Sequence, residues 1–183
     1  MNENADNSTF EENAASLNQT EDKVVALVPE SDFQSVTQFV ILYLLSLGIY
    51  PFFWFYKHWR YLKDEKNKDI SPGFRTLFIV IYGYSLFKSF KKLAQEKGYT
   101  GKVNMFLMFI LYVATLLTAF MENNPLALLS FFSFIFLIPV LNVMNFYYLK
   151  EQAGYTIKTK LGKDEIVFLV VIWAVVLFIA FSS

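Results

Sequence analysis

Few side chains of this chain are suited to covalent or metal chemistry. Its 183 residues include one histidine, His58, and no cysteine, which excludes disulfides, thiol catalysis and thiolate metal sites. One imidazole does not complete a metal site, and the acids that follow it, Asp64 and Glu65, lie one and a half to two helical turns away. The sequence also lacks phosphate-loop glycine patterns, a GxSxG elbow and paired catalytic carboxylates. We therefore expect no enzymatic activity, cofactor or metal, and a surface or headgroup position for His58.

The chemistry that the sequence does offer is positive charge beside aromatic rings. Aromatic side chains anchor helices at headgroup level, and anchoring alone explains the crowded rings. Lysine and arginine behind such a belt also recognise anionic lipid. Nucleic-acid binding is not expected, because these residues lie against the bilayer. The predicted face for lipid or a partner comprises Trp54, Tyr56, Lys57, Trp59, Arg60, Lys63, Arg75, Lys88, Lys91 and Lys92.

Two amide side chains, Asn142 and Asn145, lie within an otherwise apolar stretch. They share a helix face at i and i+3, shortly after Pro139, which leaves a backbone carbonyl without its usual partner. Two interpretations stay open: hydrogen bonds that hold helices together, or a small polar cavity that holds a solute. No Asp, Glu, Lys or Arg lies near the middle of an apolar segment, which disfavours proton-coupled transport.

Composition indicates what surrounds these residues. Hydrophobic residues make up 55% of the chain and aromatic residues 19%, while charged residues make up 17%, against about 25% in typical soluble domains. The excess must face lipid, so we predict an all-α fold, a polytopic helical membrane protein with four to five membrane segments and interfacial amphipathic helices. Residues 1–30 are acidic and predicted to be a disordered N-terminal tail; residues 31–183 are predicted to form the helical membrane domain.

Local signals divide that domain into segments. Ser31 and Gln34 have the spacing of a capping box, so the first helix is expected to start there. Pro51 predicts a kink or split in the first segment, Pro72 a helix start and Pro139 a second kink. The segments are expected at about 33–56, 72–92 (short or interfacial), 103–121, 125–149 and 166–182.

Basic residues indicate the orientation, because Lys and Arg in short loops stay on the cytoplasmic side. Residues 57–75 contain six Lys or Arg, residues 88–102 contain five and residues 150–165 contain four, whereas residues 121–124 contain none. If residues 74–87 do not cross, four spans place both termini outside and all three basic connections inside, as the rule favours. If they do cross, five spans place the N terminus inside and expose six basic residues outside.

A weak internal similarity aligns residues 78–102 on residues 134–158 without gaps, with Gly98-Tyr99-Thr100 on Gly154-Tyr155-Thr156. Two interpretations stay open. Either the chain contains a repeat of helices that end at a left-handed glycine, or two helices end in the same common way. A true repeat would favour the five-span arrangement, and internal repeats recur in transporters.

The run LLSLGIYPFFWFYKHWRYL, followed after a polar spacer by PGFRTLFIVIYGYSLFKSF, resembles a family of bacterial membrane proteins known as domain of unknown function 4234. That family shows a GIY turn, then W-x-Y-K-x-W, then a helix that opens with an aromatic-Arg pair. The resemblance implies a multi-pass protein of the bacterial cytoplasmic membrane with no established activity, and it supplies no catalytic residue. It covers about residues 36–100, with matches at Gly48, Ile49, Tyr50, Trp54, Tyr56, Lys57, Trp59, Phe74 and Arg75.

Two main functional hypotheses follow. The first is a structural or accessory membrane protein that binds anionic lipid headgroups, a membrane protein partner or a second copy of itself through its basic, aromatic cytoplasmic face. The alternative is a small-solute transporter or channel that uses the region of Pro139, Asn142 and Asn145. The dense anchoring chemistry without a buried ionisable group favours the first, and an enzyme that acts on lipid is the least favoured.

Overall fold

The computed structural model describes residues 29–121, 124–157 and 160–182. These residues form helices, with one isolated β-bridge between Glu30 and Thr156, so the predicted all-α class is confirmed for the described part of the chain. The predicted acidic tail falls almost entirely outside the described residues. The α-helices are α1 (Val36–Leu45), α2 (Tyr50–Asp64), α3 (Pro72–Leu77), α4 (Ile79–Glu96), α5 (Met105–Leu117), α6 (Ile138–Glu151) and α7 (Lys163–Ser182), and two 3-10 helices cover Thr118–Phe120 and Pro125–Phe136.

The first predicted segment, 33–56, is two helices rather than one. A capping box does start α1, but it is formed by Ser35 and Gln38 and not by the predicted pair. The chain then turns where Leu47 and Gly48 adopt positive φ angles of 54° and 83°, and the Gly48 N–H donates to the carbonyl of Tyr43 at 2.9 Å. The predicted split before Pro51 is therefore confirmed, and α1, with 10 residues, reaches only about 15 Å, half the thickness of a bilayer core.

Two later segments are also interrupted. A helix does begin at Pro72, as predicted, but it ends at Leu77, and α4 starts after Phe78. The predicted kink near Pro139 is a break at Leu137, where the 3-10 helix ends and α6 begins with the proline in its first turn. Proline has no N–H to donate, so it fits the first helical turn, where no partner is needed.

Helix α2 lies in the middle of the core. Its buried face consists of aromatic and apolar side chains at helical spacing, and it packs against α1, α3 and α4. Phe55 lies 5.6 Å from Phe87 of α4 between ring centroids, and Trp54 lies 5.6 Å from Phe39 of α1. Helices α4 and α6 also pack against each other. Helix α5 contributes Phe109 and Tyr112 and α6 contributes Tyr147 and Tyr148, so the core depends on rings from five helices.

Ion pairs bring distant parts of the chain to one end of the molecule. The carboxylate of Glu151, at the end of α6, binds both Lys66, before α3, and Lys97, after α4. Because the same carboxylate holds both lysines, the stretch from α3 through α4 leaves this end and returns to it. We call this end of the molecule the Glu151 end.

The segment before α1 is fastened at the same end. The Ser31 N–H donates to the carbonyl of Thr156 at 2.9 Å, and the Gln152 amide both accepts from the Asp32 N–H and donates to the Asp32 carboxylate. Asp32 also pairs with Lys57 of α2 at 3.5 Å. The start of the described chain therefore lies beside the C-terminal end of α6.

Within the described residues, two helical stretches are long and apolar enough to cross a membrane, Pro125–Glu151 and Lys163–Ser182. The four to five membrane segments predicted from the sequence are therefore not confirmed by helix length. In α7, Glu165 is the only buried residue, and Phe181 is 87% exposed. Phe168 and Leu169 pack partly against the core, whereas most of the other apolar side chains of this helix are exposed, with nothing in the described part of the chain to cover them.

The order of elements repeats along the chain. Helices α2, α3 and α4 lead to Gly98, and α5, the 3-10 helix at Pro125–Phe136 and α6 lead to Gly154. Both glycines have positive φ angles, 92° and 101°, and in each half the first helix packs against the short element that follows it. If the two helices only ended in the same common way, the two glycines would be explained. The shared order of elements and the shared packing would not be, so these favour the repeat.

A substitution at Gly83 tests the packing of α4 against α2 and α5. A Cβ atom at this position would lie 2.7 Å from Phe109 Cε2 and 3.2 Å from Phe55 Cε1. We expect Gly83→Ala to lower the free energy of unfolding by about 1–3 kcal/mol through overpacking. The measurement is the thermal midpoint of the detergent-purified protein, followed by tryptophan fluorescence. Gly73→Ala is the control, because nothing lies within 4 Å of its Cβ, and an equal loss in both variants would contradict the packing described.

Candidate functional site

The residues predicted to form one basic, aromatic face lie in different environments: some are buried, some form ion pairs and some line a groove. Trp54 and Trp59 are each only 1% exposed, so their assignment to an exposed lipid or partner face is wrong. The reason is that α2 turns these two rings toward α1, α3 and α4, whereas Tyr56 points outward and is exposed. The helical spacing of these residues in the sequence indicates that α2 has an apolar face. It does not indicate whether lipid or protein covers that face.

The charged side chains of α2 are offset by acids. Lys57 pairs with Asp32 at 3.5 Å, and Arg60 pairs with Asp64 at 3.3 Å. Lys63, also predicted, is exposed. Beside these residues lies a cleft of about 540 Å³ whose charged lining consists of Lys57 and Arg60 with Glu30, Asp32, Asp64, Glu65, Glu151 and Asp164. Acids outnumber bases there, so the surface of α2 is not a basic face.

Arg75 has a structural position. The carbon Cζ of its guanidinium lies 4.7 Å from the centroid of the Trp59 ring and 5.2 Å from that of Tyr82. Cation–π contacts at these distances are attractive, and these two join α3 to α2 and α4. Arg75 is therefore engaged in packing between these helices.

The remaining three predicted lysines do come together, and they gain a fourth. Lys88, Lys91 and Lys92 of α4 line a groove of about 620 Å³ between α4 and the start of α5, and Lys68 from the connection after α2 completes it. The Lys68 ammonium donates to Ser89 Oγ at 3.0 Å, and the Lys91 ammonium donates to the Val103 carbonyl at 2.8 Å. We call this the lysine groove.

Positive charge in the lysine groove is largely uncompensated. Its one acidic lining residue is Glu96, whose carboxylate lies 4.0 Å from the Lys92 ammonium. Partial burial lowers the pKa of Lys68 below its ordinary value, and the nearby positive charges of Arg75 and Lys92 lower it further. A bound anion would relieve this repulsion.

The groove opens beside apolar surface. Tyr84 and Phe106 form part of its lining and touch edge to face, with ring centroids 5.5 Å apart. Phe106 is 56% exposed, and Ile81, one turn before Tyr84, is 68% exposed. Cationic and apolar surfaces thus adjoin, which is the arrangement expected where a helix leaves a bilayer.

His58 is buried, so the predicted surface or headgroup position is wrong. Its ring is 2% exposed, because α2 turns it toward Phe90 of α4 and Tyr148 of α6. Its Nδ1 lies 3.0 Å from the Tyr148 hydroxyl, and Nε2 has no hydrogen-bond partner. Within the described residues no three His, Asp or Glu side chains gather in a way that could hold a metal ion.

Asn142 and Asn145 do not form one site. Asn142 is exposed, whereas Asn145 is buried. Asn145 donates from Nδ2 to the Gln34 carbonyl at 2.7 Å and accepts from the Gln34 N–H at 3.1 Å. Its amide is therefore used to fasten the segment before α1, as the helix-holding interpretation expects, and it does not line a solute cavity.

Sequence reasoning missed two groups in the lysine groove. Ser85 and Ser89 stand one turn apart, next to Lys88 and Lys92, and this pattern of hydroxyls among lysines was available as a signal. Lys68 gave no such signal, because its position follows from the path of the chain after α2. That path depends on packing between elements that are distant in sequence.

Comparisons with known proteins found no relative of this chain. A scan against protein-family models found no match, a search among curated proteins found no similar sequence, and a search among solved structures found no similar fold. The resemblance to domain of unknown function 4234 therefore stays a prediction.

Stability should depend on the charge of His58. Burial lowers the pKa of His58 well below its ordinary value of 6.5, and the neighbouring Lys57 lowers it further. The folded state then keeps a neutral ring while the unfolded state takes up a proton below about pH 6.5. The stabilising effect is complete above that pH and is lost progressively as the pH falls below it.

The measurement is the thermal midpoint in detergent at pH 7.5 and at pH 5.5. We expect the wild-type midpoint to fall between these two values and that of His58→Phe to change much less, since phenylalanine fills the site without titrating. An equal fall in both proteins would show that other groups cause the pH dependence.

Proposed function

We propose that this chain is an integral membrane protein with a structural or accessory role, and that it binds anionic lipid headgroups in the lysine groove on the cytoplasmic side. The observation that carries the proposal is the groove itself, in which four lysines and one acid line a concave surface next to exposed apolar side chains. Juxtamembrane lysine clusters attract anionic lipid by about 1 kcal/mol per lysine.

Exposed apolar surface supports the membrane location. Large apolar side chains along most of α7 are exposed, among them Val167, Val170 and Phe178. Water-soluble proteins rarely expose contiguous apolar patches of this extent. A helix of 20 residues spans about 30 Å, the thickness of a bilayer core.

The contacts at the Glu151 end support a membrane topology that differs from both arrangements considered from the sequence. Lys66 and Lys97 meet at Glu151, so α3 and α4 enter from one side and return to it. Ser31 and Asp32 are fastened to Thr156 and Gln152, so the first described residues also lie on that side. All three basic connections then lie on it, which is the cytoplasmic side by the positive-inside rule.

If α7 crosses the bilayer, its contacts indicate how deep the other elements lie. Its first turn lines a cavity together with Lys57 and Arg60, and ten residues later the Trp173 ring N–H donates to the Leu45 carbonyl at 3.1 Å. Ten residues correspond to about 15 Å. The turn between α1 and α2 therefore lies near the middle of the bilayer, α1 and α2 form a half-depth hairpin, and α7 carries the C terminus to the outside.

This proposal has two full crossings from the α5–α6 hairpin and a third from α7, with two half-depth hairpins before them. We retain membership of the domain of unknown function 4234 family and a bacterial cytoplasmic membrane as part of the proposal. The transporter alternative is not favoured, because Asn145 is engaged with Gln34 and Asn142 is exposed. No observation on the described residues favours an enzyme.

Labelling of single cysteines tests the topology, and the native chain contains no cysteine to interfere. We expect Glu30→Cys, Asn67→Cys and Thr100→Cys to be protected from a membrane-impermeant maleimide added to intact cells. Met121→Cys and Ser182→Cys should react, because they lie on the outer side in the proposed arrangement. Reaction at Glu30 would favour the four-span arrangement, and reaction at Asn67 would favour the five-span one.

Charge removal tests lipid binding. We expect the triple variant Lys88→Gln, Lys91→Gln, Lys92→Gln to bind phosphatidylglycerol about 5- to 25-fold more weakly, because its one phosphate contacts at most two lysines and each contact contributes roughly fivefold. The measurement is the lipid concentration that gives a half-maximal rise in thermal midpoint of the detergent-purified protein, since a ligand of the folded state stabilises it. Phosphatidylcholine with the same acyl chains gives the baseline.

The matched control is Lys63→Gln, Lys150→Gln, Lys163→Gln, which removes the same charge from exposed lysines outside the groove. It should keep most of the affinity for phosphatidylglycerol. Equal losses in both triple variants would mean that overall charge and not the groove attracts the lipid, and the proposal would fail.

A further inference from the structure

The lysine groove carries more positive charge than one phosphate can balance. Four lysines face one carboxylate in its lining, which leaves a net excess of three positive charges. Glu96 serves Lys92, while the described contacts of Lys68 and Lys91 are to uncharged oxygens. A phosphodiester of an ordinary anionic phospholipid supplies one negative charge, so most of the groove would stay uncompensated.

Contacts and helix spacing divide the four lysines into two pairs. The Lys68 ammonium is held at Ser89, which shares a face of α4 with Lys92, three residues further on. The Lys91 ammonium is held at the Val103 carbonyl, before α5, and Lys88 precedes Lys91 by three residues on α4, so that these two also share a helix face. Each pair presents donors for one phosphate, with Ser85 and Gln95 also in the lining.

The volume of the groove is in keeping with a ligand larger than one phosphate. At about 620 Å³ it falls within the range of sites that hold a whole small molecule. Phe106 of the lining is exposed, and so is Ile81, one turn before the lining residue Tyr84 on α4, so the acyl chains of a bound lipid would continue onto apolar surface. Basic pockets between membrane helices on the cytoplasmic side bind headgroups that carry several phosphates.

We propose that the lysine groove is selective for a lipid headgroup with two phosphates, one held by Lys68 and Lys92 and the other by Lys88 and Lys91. This inference rests on the proposed binding of anionic lipid and adds the class of lipid. Because both phosphates belong to one lipid molecule, that lipid contacts all four lysines at once. A lipid with one phosphate contacts only two.

The experiment compares diphosphatidylglycerol, which has two phosphodiesters, with phosphatidylglycerol at equal phosphate concentration and with the same acyl chains. The readout is the concentration for a half-maximal rise in thermal midpoint of the full-length protein in detergent. Wild type should require roughly 25-fold less diphosphatidylglycerol phosphate, because two further lysine contacts contribute about fivefold each. Native mass spectrometry should show one such lipid bound per chain.

Lys68→Gln provides the sharper variant, since it removes one lysine of one pair. It should reduce the preference for diphosphatidylglycerol to about fivefold and leave phosphatidylglycerol, which can use the other pair, within about twofold of wild type. Lys150→Gln is its control and should leave both affinities unchanged.

Two outcomes distinguish a failure of this inference from a failure of the proposed lipid binding on which it rests. If both lipids act equally on wild type and both are lost in the triple variant at Lys88, Lys91 and Lys92, the selectivity is refuted while lipid binding in the groove stands. If the triple variant binds both lipids as wild type does, both proposals fail. Free inorganic phosphate, added as a competitor at millimolar concentration, should displace neither lipid, and displacement would assign the groove to soluble phosphate.

Discussion

The packing of the aromatic face of α2 determines where the other elements lie. Trp54, Phe55 and His58 contact rings from α1, α4 and α6, so one helix orders three others around it. The burial is not free of cost, because the ring N–H groups of Trp54 and Trp59 have no hydrogen-bond partner, and a buried polar group without a partner is destabilising. The contact area of the large rings offsets this penalty.

That packing also separates two kinds of charge. The basic residues on the outer side of α2 lie next to acids from the segment before α1, and Lys57 is neutralised by Asp32. The lysines of α4 line a separate groove, where Glu96 is the one acid in the lining. An excess of basic residues spread over the sequence thus becomes a local excess in one groove, and Glu151, by holding Lys66 and Lys97 together, keeps the surrounding connections close to it.

The sequence was sufficient for features that depend on neighbouring residues. The split before Pro51, the helix start at Pro72 and the break near Pro139 follow from the geometry of proline and glycine, and all three occur. The burial of Trp54, Trp59 and His58 was not predictable, because aromatic residues suit both a membrane interface and a core. The capping box was assigned one turn too early for a similar reason, since Ser31 and Gln34 have the right spacing but their side chains bond to Gln152 and Tyr50. Of the candidate site, Lys88, Lys91 and Lys92 were found by charge, while Lys68 required the three-dimensional path of the chain.

In the proposed topology, the turn at Leu47 and Gly48 lies at half depth, and this affects the shape of the molecule in its bilayer. If α1 to α4 lie in the cytoplasmic leaflet, the protein occupies a wide area there, whereas only the outer halves of the α5–α6 hairpin and of α7 occupy the outer leaflet. Such a tapered body would displace more lipid from one leaflet than from the other. The surrounding membrane would then bend toward or repack around the wide end, so a protein of this topology would act as a wedge as well as a binding surface.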